Sequence, residues 1–200
     1  MPKIELYYKQ FEKKSGQRDL LLLVGDIQPI DEESCYSFCD EVLKIAKHYN
    51  CREIITTGGI GLQNIPEKPK VYCTGNEQKI FDKYVKKNML VEKEIFGVVG
   101  PIIGVSGVLL GLGKKRNLSG VALLAETFGH PMYLGVKGAQ EILKVLDDKF
   151  KWGLELKRMK REVIEMEKEI LKKTKEWTSE LAHDHQAGAK ARRKEASYIG

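Results

Sequence analysis

The chain has 200 residues, with 34 lysines and arginines against 28 aspartates and glutamates, so its net charge is +6. Hydrophobic residues make up 42% of the chain and charged residues 31%. The apolar fraction excludes a wholly disordered chain, and the length excludes a large multidomain enzyme. A net positive charge favours nucleic acid or an acidic protein surface as a partner.

The first 150 residues alternate short apolar runs with amphipathic segments. The runs end at turns that contain glycine and predict strands at residues 20–24, 53–57, 71–74 and 121–125, the first of them buried. Helical spacing of the apolar residues predicts helices at residues 31–49, 77–90 and 136–149. Residues 98–113 are apolar but interrupted by glycines and by Pro101, and they predict no single element.

This alternation of strands and helices predicts the fold class. Helices between consecutive strands favour right-handed crossovers and a mostly parallel sheet that is covered on both faces. We therefore expect residues 1–150 to form one α/β domain, a three-layer sandwich. Residues 151–200 are expected to form a separate region, a long heptad helix followed by a flexible basic tail.

The region after Gly153 has no glycine until Gly188 and is rich in Glu, Lys, Leu and Met. Its apolar residues alternate steps of four and three, which predicts a helix with a heptad stripe. The stripe consists of Trp152, Leu156, Met159, Val163, Met166 and Ile170. Two interpretations stay open, because the helix can pack its stripe on its own domain or join copies in a coiled coil. The narrow stripe and the charged residues around it favour the coiled coil, and hence a homo-oligomer.

The positive charge is concentrated near the end of the chain. Residues 190–200 hold four lysines and arginines, among them Arg192 and Arg193, against one glutamate. The resulting charge of +3 is half of the net charge of the chain. The preceding residues are small and polar, as in a flexible arm. No aromatic and basic residues interleave in this arm, so specific recognition of nucleic acid is not expected.

Cysteine usage and hydropathy indicate the compartment. The chain opens without a basic segment followed by an apolar run, and no stretch approaches the length of a membrane span, so we expect a cytoplasmic protein without a membrane anchor. In that compartment Cys35, Cys39, Cys51 and Cys73 are expected to be reduced core residues. Cys35 and Cys39 lie one helical turn apart, but no further ligands complete a zinc site.

The glycine-rich segments do not meet the requirements of nucleotide binding, and no cofactor is expected. Residues 59–64 lack the third glycine of the dinucleotide fingerprint. Residues 108–115 have Val108 in place of the first glycine of a phosphate loop and Lys115 in place of the hydroxyl that would hold magnesium. The cluster at 183–185, His-Asp-His, falls in the arm, where no preorganised pocket would hold a metal.

Two carboxylates keep an enzymatic alternative open. Asp26 and Glu126 each follow an apolar run and would line the same sheet edge if the runs are neighbours, within reach of His130. Such a pair would suit a hydrolase of the nucleoside-hydrolase type. Carboxylates at these positions also commonly cap the amides of a loop, and that interpretation assigns them no chemistry.

Four strings, in this order along the chain, resemble the archaeal members of the proteasome assembly chaperone family. They are Gly-Asp-Ile-Gln-Pro at 25–29, Ile-Thr-Thr-Gly-Gly at 55–59, Gly-Val-Ser-Gly-Val-Leu-Leu-Gly at 104–111 and Val-Ala-Leu-Leu-Ala-Glu-Thr at 121–127. The resemblance covers about residues 19–150. It implies an α/β sandwich similar to nucleoside phosphorylases, and a non-enzymatic oligomer that helps to assemble or binds the proteasome core particle. The same resemblance implies that a further set of residues forms fold-defining turns and is not catalytic. These residues are Gly58, Gly59, Gly104, Gly107, Glu126 and Thr127.

The resemblance also implies a role for the last residues. Related proteasome-binding proteins end in a hydrophobic residue, a tyrosine and any last residue, and the terminal carboxylate meets a lysine between neighbouring α subunits. This chain ends in Tyr198, Ile199 and Gly200, with the tyrosine one place earlier than in that pattern. The expected partners are therefore the α subunits of the core particle, together with copies of this chain or a paralogue. A coiled-coil adaptor for another partner is a further alternative.

Overall fold

A computed structural model describes residues 2–12, 16–85, 91–92, 102–130, 133–156, 158–159 and 161–173. Its strands are β1 (Ile4–Lys9), β2 (Leu20–Gly25), β3 (Glu53–Leu62), β4 (Val71–Gly75), β5 (Val91–Glu92) and β6 (Ser119–Phe128). Its helices are α1 (Glu32–His48), α2 (Gln78–Val85), α3 (Val105–Lys115) and α4 (Val136–Phe150). Residues 161–173 are also helical.

The main sheet has the strand order β3-β6-β4-β5. β3 pairs with β6 in parallel and β4 with β5 in parallel, whereas β4 and β6 are antiparallel. The prediction of a mostly parallel sheet is therefore confirmed, with one antiparallel pair inside it. β6 lies between two neighbours, and it is the strand whose residues 120–125 are buried without interruption. An uninterrupted apolar strand is what a sheet covered on both faces requires.

The two faces of β6 pack against different helices. Val121, Leu123 and Ala125 join a core that includes residues of α2 and α4. Ala122 and Leu124, which alternate with them, pack against Leu110 of α3. α1 packs against α3 on that same side, where the two helices share a core with Ile54 of β3 and the loop residue Leu118. The helices thus cover both faces of the sheet, and the predicted three-layer α/β arrangement is confirmed.

α1 shows why the sequence signals for helices were sufficient here. Asp31 lies just before the helix, and its side chain accepts a hydrogen bond from the backbone N–H of Ser34 at 2.8 Å. Acidic residues fill the first turn and basic residues the last, which suits the helix dipole. Cys35 and Cys39 lie on its buried face, and burial raises the pKa of the Cys39 thiol to about 12.

The cysteines agree with the prediction of reduced core residues. Cys35, Cys39 and Cys73 are buried and Cys51 is half-buried, and all four thiols are free. Burial also raises the pKa of the Cys73 thiol to about 12, so it is a packing group and not a nucleophile at neutral pH. Among the described residues no three side chains of His, Cys, Asp or Glu come together as metal ligands.

Three expectations about local structure are wrong. Residues 20–24 do form a strand, but β2 belongs to a separate two-stranded antiparallel sheet with β1, and most of it is exposed. Gly58 and Gly59 lie inside β3, Glu126 and Thr127 lie inside β6, and Gly107 lies inside α3, so none of the five forms a turn. The two strands are longer than their apolar runs because ten residues of each pair with the other, from Glu53 and Ser119 onwards.

Two further segments differ in extent from their predictions. α2 covers Gln78–Val85, and the predicted helical residues 86–90 lie outside the described part of the chain. The interrupted apolar stretch contains helix α3, which begins after Gly104. Gly104 does lie at a turn, with a φ of 81°, and a side chain there would be strained and would meet the amide of Gln28 at 2.8 Å.

Candidate partner-binding surfaces

The apolar hairpin, defined as β1 and β2 together, carries many of the exposed apolar side chains among the described residues. Its register places Leu6 opposite Leu23 and Tyr7 opposite Leu22. Residues directly opposite each other share a face, so one face carries Ile4, Leu6, Tyr8, Leu21 and Leu23, and the other carries Tyr7, Leu20, Leu22 and Val24. Side chains on both faces remain exposed, with Tyr8 at 56% on the first face and Leu22 at 46% on the second. The hairpin is therefore an apolar ribbon with two solvent-facing sides.

Polar contacts fix the hairpin at its base and near its turn. The backbone N–H of Lys3 donates to Asp26 Oδ2 at 2.9 Å, and the N–H of Asp26 donates to the carbonyl of Lys3 at 3.0 Å. Near the turn, the hydroxyl of Tyr8 donates to Asp19 at 2.6 Å. The Gln17 side chain, also near the turn, donates to the carbonyl of Lys151 at 2.6 Å. These contacts fix the ribbon at both ends, while most of its apolar side chains stay exposed among the residues that the structure describes.

The two carboxylates of the enzymatic alternative both bind backbone amides. Asp26 closes the base of the hairpin, as described above, whereas Glu126 lies in β6 of the main sheet. Glu126 Oε2 accepts the backbone N–H of Lys70 at 2.9 Å, and Oε1 accepts the hydroxyl of Tyr72 at 3.1 Å. Burial and the bond to Glu126 raise the pKa of Tyr72. Each carboxylate thus has a structural role in its own sheet. This arrangement agrees with the capping interpretation and not with the enzymatic one.

His130 contacts an aromatic neighbour on the same strand end. Its ring stacks on that of Phe128, with centroids 5.7 Å apart and an interplanar angle of 10°. Phe128 also meets Tyr133 edge to face at 5.7 Å. His130 therefore packs on an aromatic ring at the end of β6.

The helical segment 161–173 packs on its own domain through a polar contact. Glu167 is only 7% exposed, and its carboxylate accepts the Tyr133 hydroxyl at 3.1 Å and pairs with Lys137 Nζ at 2.7 Å. Burial, together with the bond to Glu167, raises the pKa of Tyr133 to about 12. Val163, one turn before Glu167, is buried as well. This face of the segment is therefore turned towards the start of α4.

The predicted heptad stripe is divided between covered and uncovered positions. Trp152 stacks on Phe150 at 5.1 Å, and Val163 is buried against the domain. Met166 is 51% exposed, and its neighbour in sequence Ile164 is exposed too. The other stripe residues, Leu156, Met159 and Ile170, are half-buried. Sequence reasoning missed Glu167, although its spacing of four from Val163 places it on the same helix face.

The profile of the PAC2 family matches residues 1–174 of the chain. The chain belongs to the PAC2 family. The resemblance drawn from the four sequence strings is thereby confirmed.

Solved structures agree with this assignment to the PAC2 family. The chain is similar to PbaB of Pyrococcus furiosus, an archaeal proteasome activator, with a TM-score of 0.74 and 28% identity, covering 88% of this chain and 72% of that one. It shares its fold with PbaA of the same organism, an archaeal homologue of proteasome-assembly chaperone, with a TM-score of 0.58 and 21% identity over 90% of this chain and 69% of that one. A PAC2 family protein from Streptomyces avermitilis has the same fold, with a TM-score of 0.61 and 19% identity over 86% of this chain and 68% of that one.

One curated relative matches the chain over part of its length only. An uncharacterised protein of Methanocaldococcus jannaschii is 24% identical over 127 residues, which is 64% of this chain and 48% of that protein. The matched part of this PAC2 chain therefore spans about half of the relative's length.

The predicted docking residues of this PAC2 chain are Arg192, Arg193, Tyr198, Ile199 and Gly200, and they lie outside the described residues, as does the His-Asp-His cluster at 183–185. Within the described ranges no helix has the length and apolar character needed to cross a bilayer.

Proposed function

We propose that this PAC2 chain is a non-enzymatic proteasome-binding factor that forms a homo-oligomer and docks on the α ring of the core particle. The observation that carries the proposal is the likeness to PbaB, an archaeal proteasome activator, at 28% identity and a TM-score of 0.74 over 88% of the chain. The structural roles of Asp26 and Glu126 support the non-enzymatic part, because both carboxylates are engaged by backbone amides.

The docking element in this proposal is the segment Tyr198–Gly200. Tyr198 and Ile199 follow a polar and basic stretch, and they supply apolar side chains for a pocket between neighbouring α subunits. Arg192 and Arg193 lie a few residues earlier, where they would speed the approach to an acidic rim through electrostatic attraction. Each tail contact is weak on its own, and several copies in one oligomer would add their contacts through a raised effective concentration.

The heptad stripe is one proposed source of the oligomer. Met166 and Ile164 are exposed on the helical segment 161–173, and they offer apolar surface to another copy even though Val163 packs on its own domain. A chain truncated after residue 151 would lose this contact. If the truncated chain keeps the mass of the full oligomer, assembly belongs to the α/β domain instead.

Deleting Tyr198–Gly200 tests the docking mechanism. We expect the deletion to abolish co-elution with an archaeal core particle on size-exclusion chromatography, while light scattering gives the unchanged mass of the oligomer. Ser197→Ala is the matched control, since it alters the same segment and keeps Tyr198 and Ile199. Co-elution that survives the deletion would contradict docking through the tail.

Reversing the charge at Arg192 and Arg193 separates steering from docking. The double change Arg192→Glu and Arg193→Glu should slow association with the core particle roughly tenfold at low salt, with a smaller effect at 0.5 M salt because screening removes the attraction. Equal slowing at both salt concentrations would contradict electrostatic steering.

A further inference from the structure

The apolar hairpin is too small to be stable as an isolated sheet. A two-stranded ribbon is marginal in water unless further strands or a packed face support it, and within the described residues each of its strands pairs only with the other. Its apolar side chains are about half exposed on both faces. In the part of the chain that the structure describes, no further strand pairs with the outer edges of β1 and β2, and such open edges favour pairing with another strand.

The hairpin and the loop after it expose apolar surface on both faces of the ribbon. Partly exposed apolar side chains lie on the hairpin and on the loop after it, which includes Ile27 and Ile30. Few charged residues lie among them. At about 75 Å² for each half-exposed side chain, these apolar side chains present roughly 700 Å² of apolar surface.

We propose that β1 pairs antiparallel with β1 of a second copy of this chain, about a two-fold axis that passes through Tyr7. Two hairpins then form one four-stranded sheet. The proposal names a contact for the oligomer of the proposed function, and it is independent of the docking tail.

The backbone of β1 has the phase that this pairing requires. The N–H of Asp26 donates to the carbonyl of Lys3, so the odd-numbered residues of β1 direct their backbone groups towards β2. The even-numbered residues, such as Leu6 and Tyr8, therefore direct theirs to the free edge. An axis at Tyr7 sets Leu6 opposite Tyr8 of the second copy, and these outward groups can exchange both hydrogen bonds.

The charges of β1 favour the same register. Glu5 and Lys9 are the charged residues of the two hairpin strands, and they lie at equal distances on either side of Tyr7. An axis at Tyr7 therefore sets Glu5 opposite Lys9 of the second copy, twice. These are non-hydrogen-bonded pairs, whose side chains approach most closely. An axis at Glu5 or at Lys9 would set like charges against each other.

This self-complementarity is the reason for choosing a second copy as the occupant. A two-fold interface needs a surface that matches itself, with each contact made twice. The sequence Glu5-Leu6-Tyr7-Tyr8-Lys9 meets that need, because reversing it exchanges acid for base and apolar for apolar. A foreign partner would need no such symmetry.

A cysteine at the axis tests the geometry directly. In Tyr7→Cys the two introduced thiols face each other across the axis, so mild oxidation should give a disulfide-linked dimer on a non-reducing gel. Leu22→Cys is the matched control, since Leu22 lies opposite Tyr7 on the same face, one strand farther from the axis. We expect at least tenfold more dimer from Tyr7→Cys, with the wild type giving the background from Cys51. Equal yields from the two variants would overturn the proposal.

Charge variants give a second measurement that does not depend on a new cysteine. Glu5→Lys and Lys9→Glu each set like charges across the axis, so each variant alone should associate at least tenfold more weakly than the wild type at low salt. Mixed together, they restore both opposite-charge pairs and should associate again, as should the double variant alone. A mixture no tighter than its components would overturn the pairing. All these variants keep the C-terminal tail. A variant that pairs normally but fails to bind the core particle would therefore contradict the proposed function and not the pairing of β1.

Discussion

Strands β6 and β2 each contain an apolar run of five residues, but the two runs lie in opposite environments. β6 runs Val-Ala-Leu-Leu-Ala through its centre and is buried there on both faces, whereas β2 runs Leu-Leu-Leu-Leu-Val and is largely exposed. The difference comes from their neighbours. β6 lies between β3 and β4 under helices on either side, and β2 has β1 alone.

An apolar run therefore predicts a strand but not its burial. The elements that follow each strand decide that. β6 is followed by α4, which returns across the sheet and packs on Leu123 through Ile142 and Val145. β2 is followed by α1, whose buried face contacts α3 and not the hairpin. Within the described residues, most apolar side chains of the hairpin consequently stay exposed.

Truncating one leucine in each strand should give the largest contrast. Leu123→Ala removes a side chain with no exposed surface from the centre of the core, and we expect it to lower the free energy of unfolding by about 2–5 kcal/mol. Leu22→Ala removes a half-exposed side chain and should cost under about 1 kcal/mol. Urea denaturation at low protein concentration measures both. Comparable losses from the two variants would show that the hairpin is part of the domain core.

Two glycine substitutions in helices should change the free energy of unfolding in opposite directions. A Cβ at Gly138 of α4 would lie 2.9 Å from the carbonyl oxygen of Glu126, so Gly138→Ala pushes α4 off the sheet and should cost about 1–3 kcal/mol. A Cβ at Gly111 of α3 meets nothing within 4 Å, and Gly111→Ala should stabilise by about 0.5–1 kcal/mol. Thermal unfolding of both variants measures the sign. A stabilised Gly138→Ala would contradict the close packing of α4 on β6.

Periodicity and caps were enough to predict the elements of the α/β body. α1 and α4 follow their apolar spacing to within a residue or two of the expected ends, and β3, β4 and β6 contain the predicted runs. α3 escaped prediction because its glycines lower helix propensity. The structure explains the glycine at position 113, because a Cβ there would lie 3.2 Å from the carbonyl oxygen of Leu118. Contacts of this kind depend on chain segments that a local pattern does not contain.

The surfaces were harder to predict than the body. β1 holds a charged residue near each end, and its apolar residues do not alternate regularly, so it carries no clear strand signal. Glu167 looks like any other surface charge in a polar helix, and its burial results from Tyr133 and Lys137, which lie about thirty residues earlier. The carboxylates at Asp26 and Glu126 were found from the sequence, but their roles needed the positions of the amides that they bind.

Tyrosines in the two regions should differ in how they couple to alkaline pH, and this is the smallest effect that we expect. Burial and Glu167 raise the pKa of Tyr133 to about 12, whereas Tyr7 is exposed and its pKa is raised chiefly by its hydrogen bond to Glu5. A raised pKa means that the folded state favours the neutral phenol. The stabilisation from Tyr133 is therefore complete below its ordinary pKa near 10 and is lost as the pH rises towards 12.

Replacing each tyrosine by phenylalanine isolates this coupling. Tyr133→Phe should cost about 1 kcal/mol at pH 8, because Glu167 loses a hydrogen bond, and the difference from the wild type should shrink between pH 10 and 12. Tyr7→Phe, the matched control, should leave the free energy of unfolding unchanged over the same range, since the hydroxyl and its acceptor Glu5 remain in contact with water in the folded chain. The free energy of unfolding by urea, measured at intervals of half a pH unit, gives both curves. A constant difference between wild type and Tyr133→Phe up to pH 12 would mean that Tyr133 does not hold the helical segment 161–173 through its neutral hydroxyl.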